Sequence, residues 1–145
     1  MAPDRYELRD DARRFETWEN NYAARLGLGI AIDYALAIGL DEIEARCRAI
    51  SSELRASLAE LPGVTLHDLG PRPAAIVSFS SEKHEASVIK NQLAAAGINV
   101  SASSPSSTLL DAKARNLPIV VRASPHYYNI SPEVEALAAA IRSLS

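Results

Sequence analysis

Arg122-Ala-Ser-Pro-His-Tyr-Tyr-Asn129 is the most informative stretch of the sequence, because it joins an apolar run to the start of a helix. The apolar residues 117–121 predict a buried strand, and Ser131-Pro132-Glu133 is typical of a first helical turn, with Ser131 as the cap. A guanidinium therefore stands where a strand ends. Its planar, charged fork matches a carboxylate with two parallel hydrogen bonds. Arg122 either binds an external carboxylate or pairs with an acid of its own chain.

Apolar periodicity and turn residues predict the remaining elements. Helices are predicted at 18–38, 43–61, around 88–93 and from 131 to 144, and strands at 64–69, 74–79, 98–101 and 119–122. Gly39 is expected to end the first helix and Asp41 to cap the second, while the serine-rich residues 102–116 predict a loop. The order α-α-β-β-α-β-β-α predicts a mixed fold of helices and strands (α/β in the broad sense), and more narrowly an α+β fold. We expect a small, mostly antiparallel sheet with helices packed on one face.

The pattern Arg122-x-Ser124-x-His126-x-Tyr128-Asn129 resembles the C-terminal signature of class V aminotransferases. These fold-type I pyridoxal-phosphate enzymes include cysteine desulfurases, selenocysteine lyases and isopenicillin-N-epimerase-like proteins. Other segments resemble the family in the same order, at 13–19, 26–36, 97–101 and 106–111. The resemblance implies that residues 13–145 are the family's C-terminal small domain, and that residues 1–12 are an extended N-terminal segment.

The resemblance also implies a division of labour. Arg122 would hold the α-carboxylate of an amino-acid substrate. His126 and Asn129 are assigned to the substrate-binding loop, which they would orient, either in contact with the substrate or in a purely structural role. No catalytic residue is implied, because the cofactor lysine lies in the family's large domain, and the lysines here, Lys83, Lys90 and Lys113, do not match it. We therefore expect no cofactor in this chain and an inactive fragment. Pyridoxal phosphate and the large domain would belong to a full-length parent, and a homo-oligomer, such as a dimer, is expected.

Two departures from the family pattern bear on the reaction. Ser106 stands where cysteine desulfurases carry the cysteine that accepts sulfur, and a serine cannot form a persulfide. Residues 15–20 lack the Gly-Thr-Pro that follows the Phe-Glu pair of desulfurases. An aminotransferase, lyase or epimerase-like parent is left open. The alternative is a free-standing module that has the same fold and binds a small carboxylate or a protein partner.

Composition excludes several other functions. The chain has 145 residues, a hydrophobic content of 48% and a net charge of −3, which fits one globular domain and not a nucleic-acid binder. Cys47 is the single cysteine, so no internal disulfide is expected. The isolated histidines form no metal motif and no Gly-x-Ser-x-Gly elbow occurs. No membrane span or secretory leader is seen, and a cytoplasmic location is expected.

Overall fold

The computed structural model describes Asp4 and residues 6–144, in two units that divide after Ile38. In the first unit a short 3-10 helix, Ala12–Phe15, precedes helix α1, Tyr22–Ile38. Of the predicted N-terminal segment, residues 1–3 and 5 lie outside the described residues. Residues 6–9 have no helix or strand, and the 3-10 helix begins at Ala12. The domain boundary near residue 12 therefore stays a prediction.

Helix α1 begins four residues later than its apolar spacing predicted. The side chain of Asn21 caps it, because Asn21 Oδ1 accepts a hydrogen bond from the N–H of Ala24 at 2.9 Å. Trp18 lies before the helix and is 96% exposed. Gly39 follows α1 with φ +102°, a backbone conformation that glycine adopts without a steric penalty. The predicted end of the helix is confirmed.

The second unit contains a four-stranded sheet with the order β1-β2-β4-β3. Every neighbouring pair of strands is antiparallel, as predicted. The elements are α2 (Leu40–Ala59), β1 (Val64–Leu66), β2 (Val77–Ser81), α3 (Ala86–Ala95), β3 (Ser101–Ser103), α4 (Leu109–Arg115), β4 (Val120–Ala123) and α5 (Ser131–Ser143). The predicted order is found with one addition, α4.

The two faces of the sheet differ sharply. Val77, Phe79 and Val121 are fully buried, and Ala123 is 4% exposed, so one face carries the core. Apolar residues of three helices complete this core: Ile50, Leu54 and Leu58 of α2, Ile89 and Leu93 of α3, and Val134, Leu137 and Ile141 of α5. Since side chains alternate along a strand, the residues between the buried ones lie on the opposite face, called here the open face. The predicted placement of helices on one face is confirmed.

Residues 102–116 are not the loop that their serines suggested. Ser104 accepts a hydrogen bond from the N–H of Ser106 and caps a short 3-10 helix at Pro105–Thr108, and α4 follows directly. Asp111 and Arg115 form an ion pair one turn apart at 3.0 Å, and Asn116 ends α4 with φ +52°. The strand predicted at 98–101 is shifted, because β3 begins at Ser101.

Two predicted helix caps are wrong. Gly39, not Asp41, is the N-cap of α2, and no side chain caps that end. At α5 the cap position is Ile130, and Ser131 is already helical, with its hydroxyl donating to Glu53 Oε2 at 2.9 Å. The Glu133 carboxylate accepts the N–H of Ile130 at 2.9 Å. A full capping box also needs a cap side chain that accepts an N–H of the first turn, and isoleucine has no such acceptor. Of the two side-chain contacts of a capping box, α5 therefore has only the one made by Glu133.

Taken singly, each helix of the described region is too short or too polar to cross a bilayer. Only α1 and α2 counted together, as a broken pair, reach that length and composition.

Candidate functional site

Arg122 lies on the open face of the sheet, near the end of β4. Its neighbours Val121 and Ala123 point into the core, so its own side chain points away from it and is exposed. Arg122 pairs directly with Ser78 of β2 on one side and with Ser101 of β3 on the other. Directly paired residues of antiparallel strands project to the same face. Arg122 therefore stands between two serines on this face.

One more residue extends this arrangement across the sheet. The N–H of His67, just after β1, donates to the carbonyl of Ser78 at 2.8 Å, which continues the strand pairing by one residue. His67, Ser78, Arg122 and Ser101 thus form one line across the four strands, called here the polar row. The row contains one permanent positive charge, two hydroxyls and an imidazole, and its guanidinium is the group suited to hold an anion.

Arg122 makes no ion pair and no side-chain hydrogen bond with any other described residue. Within that part of the chain, Arg13, Arg48, Arg55, Arg72 and Arg115 are the arginines paired with acids. Among the described residues, the hydroxyl of Ser101 donates one hydrogen bond, to the backbone carbonyl of Arg122 at 3.5 Å. Of the two roles that the sequence left open for Arg122, pairing with an acid of its own chain is not seen among the described residues. The guanidinium is open to a molecule from outside.

Asp68, a half-buried acid, lies next to the polar row, but both of its carboxylate oxygens already accept hydrogen bonds. Asp68 Oδ1 accepts hydrogen bonds from the N–H and the hydroxyl of Ser78 at 2.9 and 2.6 Å. Asp68 Oδ2 accepts from Nε of Arg55 at 2.8 Å, and the side chains of this pair are 13% and 14% exposed. Sequence reasoning missed both residues. Neither lies in a motif, and only the fold brings α2 to the end of β1.

His67 carries no positive charge at neutral pH. Burial lowers the pKa of His67 below its ordinary 6.5, and the positive charge of Arg115 lowers it further. Its Nε2 lies 2.8 Å from the hydroxyl of Ser80, and its carbonyl accepts from Nη2 of Arg115 at 2.5 Å. The imidazole is therefore fixed in place and adds no second positive charge to the row at neutral pH.

The structure brings His126 and Asn129 together, as parts of the turn between β4 and α5. Asn129 Oδ1 accepts the N–H of His126 at 2.7 Å, and Nδ2 of Asn129 donates to Glu133 at 3.0 Å. Nη2 of Arg46 donates to the carbonyl of Asn129 at 2.7 Å, which ties the turn to α2. The hydrogen bond from Asn129, followed by that from Ile130, lowers the pKa of Glu133. Asn129 thus fastens the loop.

Arg122 forms no hydrogen bond with either of these two residues. His126 has its ring 5.4 Å from that of Tyr128 and 4.8 Å from that of Tyr127, centroid to centroid. An open cavity of about 460 Å³ lies beside the turn, lined in part by Gly97, Ser124, Tyr128, Asn129 and Glu133. Neither Arg122 nor His126 lines it. The three predicted substrate-binding residues therefore do not share one pocket, and Arg122 stands by itself on the open face.

The described residues include neither a metal-binding cluster nor a buried lysine. In the described region, no group of three or more His, Cys, Asp or Glu side chains lies close enough to hold a metal ion. Lys83 lies in the bend after β2, Lys90 on α3 and Lys113 on α4, so the loop position predicted for Lys113 is wrong. All three lysines are exposed at the surface.

Comparison with protein families gives one match. The model of the aminotransferase class-V family matches residues 1–137. A cysteine desulfurase from Synechococcus elongatus is 35% identical over 131 residues, which are 90% of this chain and 21% of the relative. A probable cysteine desulfurase from Methanothermobacter thermautotrophicus is 26% identical, over 100% of this chain and 37% of its own length. The chain thus spans a fifth to somewhat over a third of these relatives.

Solved structures give the same picture of the fold. A cysteine desulfurase from Thermococcus onnurineus superposes with a TM-score of 0.81 at 28% identity, over 99% of this chain and 36% of that one. The cysteine desulfurase CsdA from Escherichia coli superposes with a TM-score of 0.77 at 22% identity, over 99% of this chain and 35% of its own, and shows the likeness of fold alone.

Proposed function

The chain belongs to the class-V aminotransferase family, and we propose that it serves as the C-terminal small domain of a pyridoxal-phosphate-dependent enzyme. In this proposal Arg122 recognises the α-carboxylate of an amino-acid substrate, and the large, cofactor-binding domain lies outside the 145 residues. The lengths of the relatives support a large domain outside this chain. The chain covers only 21% of the Synechococcus elongatus relative and 37% of the Methanothermobacter thermautotrophicus relative.

The observation that carries the proposal is the state of Arg122. Arg122 is exposed, stands between Ser78 and Ser101 on the open face, and pairs with no acid among the described residues. An arginine placed on a strand is also held more rigidly than one on a loop, because its neighbours Val121 and Ala123 are fixed in the core. A carboxylate bound by both arms of this fork loses its freedom to rotate. The bonds at its Cα then keep one orientation relative to the reacting group.

The described residues of this chain do not fit a pyridoxal-phosphate site of their own. Such a site needs a lysine amine within reach of the substrate, whereas Lys83, Lys90 and Lys113 are all exposed and none belongs to the polar row. We therefore assign to this chain only the binding and orientation of the substrate. The cofactor, and the groups that move protons around it, belong to the proposed large domain.

Transfer of sulfur is not part of the proposal, although the relatives named above are cysteine desulfurases. Ser106, at the position where the resemblance puts their cysteine, is exposed and hydrogen-bonded to Oγ of Ser104 at 3.0 Å. The one cysteine, Cys47, lies half-buried on α2. A parent that acts on an amino acid without a cysteine nucleophile in this domain, such as an aminotransferase, lyase or epimerase, fits these residues better.

Nuclear magnetic resonance on the chain labelled with ¹⁵N tests the role of Arg122. The Nε–H signal of Arg122 is assigned by its loss in Arg122→Lys, and sodium acetate is added, with sodium chloride at equal ionic strength as the control. We expect a saturable shift of this one arginine signal with acetate and not with chloride. Equal responses to both salts, or a larger response of another arginine, would contradict the proposal. The intact mass of the native protein then separates a domain of a larger enzyme from a free-standing carboxylate-binding module.

A further inference from the structure

We propose that Arg55 is a positioning residue for the carboxylate site, because it occupies Asp68 and so keeps Arg122 available. The inference rests on the proposed function of Arg122. It assigns a task to the Arg55–Asp68 pair beyond holding the loop between β1 and β2. The side chains of this ion pair are little exposed, at 14% for Arg55 and 13% for Asp68.

Asp68 is hydrogen-bonded to Ser78, the residue that pairs with Arg122 across the sheet. Its Oδ1 is 2.6 Å from Oγ of Ser78, and Ser78 pairs directly with Arg122 across β2 and β4. The Cβ atoms of such a pair are about 4.5–5.5 Å apart, and an arginine side chain is longer than that. A carboxylate at this place is therefore a natural internal competitor for any carboxylate that arrives from outside.

Among the described residues, Arg55 hydrogen-bonds to Asp68 and to two backbone carbonyls. Its Nε donates to Asp68 Oδ2 at 2.8 Å, and its Nη2 donates to the carbonyls of Ala74 and Ile76 at 2.5 and 3.3 Å. These backbone acceptors fix the direction of the fork. With the bonds from Ser78, both oxygens of Asp68 are engaged and its charge is balanced by a cation from α2.

Loss of Arg55 would leave an unbalanced carboxylate with little exposure, which is costly until another cation reaches it. Arg115 is the other nearby cation, but it is bound to Asp111 at 3.0 Å and to the carbonyl of His67 at 2.5 Å. Arg122 has no such partner among the described residues and shares the face of Ser78. We infer that Arg122 would then turn across Ser78 onto Asp68, and that the external site would close.

The test uses the acetate titration of the ¹⁵N-labelled chain at pH 7. In Arg55→Met, which keeps an unbranched stem but removes the charge, we expect the Nε–H signal of Arg122 to move before acetate is added. The acetate concentration at half-shift should rise on the order of tenfold, since a charged hydrogen bond now competes with it. In Arg55→Met with Asp68→Asn the competitor is gone, and the acetate response should return. Arg72→Met, which removes an exposed arginine 3.5 Å from Glu44, is the matched control and should respond like the wild-type chain.

The outcomes separate the possible failures. If the wild-type Arg122 signal does not respond to acetate, the proposed function itself fails. If it responds equally in wild type and in Arg55→Met, or if the double variant is no better than Arg55→Met, the pair only holds the loop and the inference is wrong. Where Arg55→Met does not fold, Arg55→Lys replaces it: the point charge keeps Asp68 neutralised, and the half-shift concentration should stay within about twofold of wild type. A tenfold rise in Arg55→Lys with an unchanged thermal midpoint would overturn the inference.

Discussion

Asn129 Oδ1 accepts the backbone N–H of His126 at 2.7 Å, and together with the N–H of Asn129, which donates to the carbonyl of His126 at 3.0 Å, this contact closes the loop between β4 and α5. The amide nitrogen of the same side chain donates to Glu133 at 3.0 Å, so the loop and the first turn of α5 are held by one residue. The sequence assigns His126 and Asn129 to the substrate-binding loop and leaves open whether they contact the substrate or only orient the loop. The contacts that the structure gives them are those of residues that shape the loop after Arg122.

Replacing Asn129 by alanine should lower stability. The N–H of His126 and the carboxylate of Glu133 both lose a partner, and loss of a helix-cap contact of this kind costs about 0.5–2 kcal/mol. Urea denaturation followed by circular dichroism measures it. Asn129→Asp keeps the acceptor for His126 but not the donor to Glu133, and should fall between the two. A midpoint for Asn129→Ala equal to that of wild type would show that the loop does not depend on this residue.

Glu133 should make stability depend on pH in the acid range. Hydrogen bonds from Asn129 and Ile130 hold its pKa below the ordinary 4.5. A carboxyl whose pKa is lowered by folding stabilises the folded chain above its unfolded pKa, and that contribution disappears as the pH falls through the lowered value. Glu133→Gln should therefore be less stable than wild type at pH 7, with the difference closing in acid. Glu135→Gln controls for removal of one exposed charge from α5, and a pH-independent difference for Glu133→Gln would contradict the expectation.

Pyridoxal phosphate should not select one lysine of this chain. After incubation and reduction with borohydride, mass spectrometry should find partial labelling spread over Lys83, Lys90 and Lys113, because all three are exposed amines. Each single Lys→Arg variant should lose only its own share of the label. A single lysine that is labelled stoichiometrically would mean that this chain builds a cofactor site.

The isolated chain should self-associate through α1. Helices that are apolar all round are normally buried, yet Leu26, Leu28 and Ile30 are 73%, 61% and 71% exposed. Sedimentation velocity at several concentrations should show a mass that rises with concentration, and Leu26→Lys with Ile30→Lys should reduce it. A wild-type monomer at every concentration would leave no reason to expect a homo-oligomer from this helix.

The sequence predicts most of the fold because its apolar spacing is regular. The buried stripe of α5 and the alternation of Val77 and Phe79 each follow one period, and the class and the antiparallel sheet come from such patterns. Helix α4 was missed because serines and Pro105 dominate the residues before it. Its signals were present but local: the Asp111–Arg115 pair and the left-handed Asn116 at its end.

The candidate site could be predicted only in part. Arg122 is recognisable from its place at the end of an apolar run, whereas Arg55 and Asp68 are 13 residues apart and meet only through packing of α2 beside β1. The prediction that Ser131 caps α5 was wrong for a related reason, because its hydroxyl donates to Glu53 of α2. Contacts between elements outweigh local preferences at these places, and no periodicity encodes them.

The role of Arg122 can also be measured in the proposed full-length enzyme. The pair to compare is wild type and Arg122→Lys, which keeps the positive charge but loses the two-point fork. Two substrates are needed: an amino acid that the enzyme turns over, and the corresponding amine, which lacks the α-carboxylate. Thermal melts of both proteins are recorded alongside, because Arg122 is exposed and its replacement should change the free energy of unfolding by less than about 0.5 kcal/mol.

The most direct test of the central claim is the ratio of kcat/KM for these two substrates in the two proteins. If Arg122 binds the α-carboxylate, Arg122→Lys should lower kcat/KM for the amino acid on the order of a hundredfold, through looser orientation, and leave the value for the amine nearly unchanged. An equal loss for both substrates, or unchanged kinetics with a sharply lowered thermal midpoint, would contradict the account and make Arg122 a structural residue of the sheet.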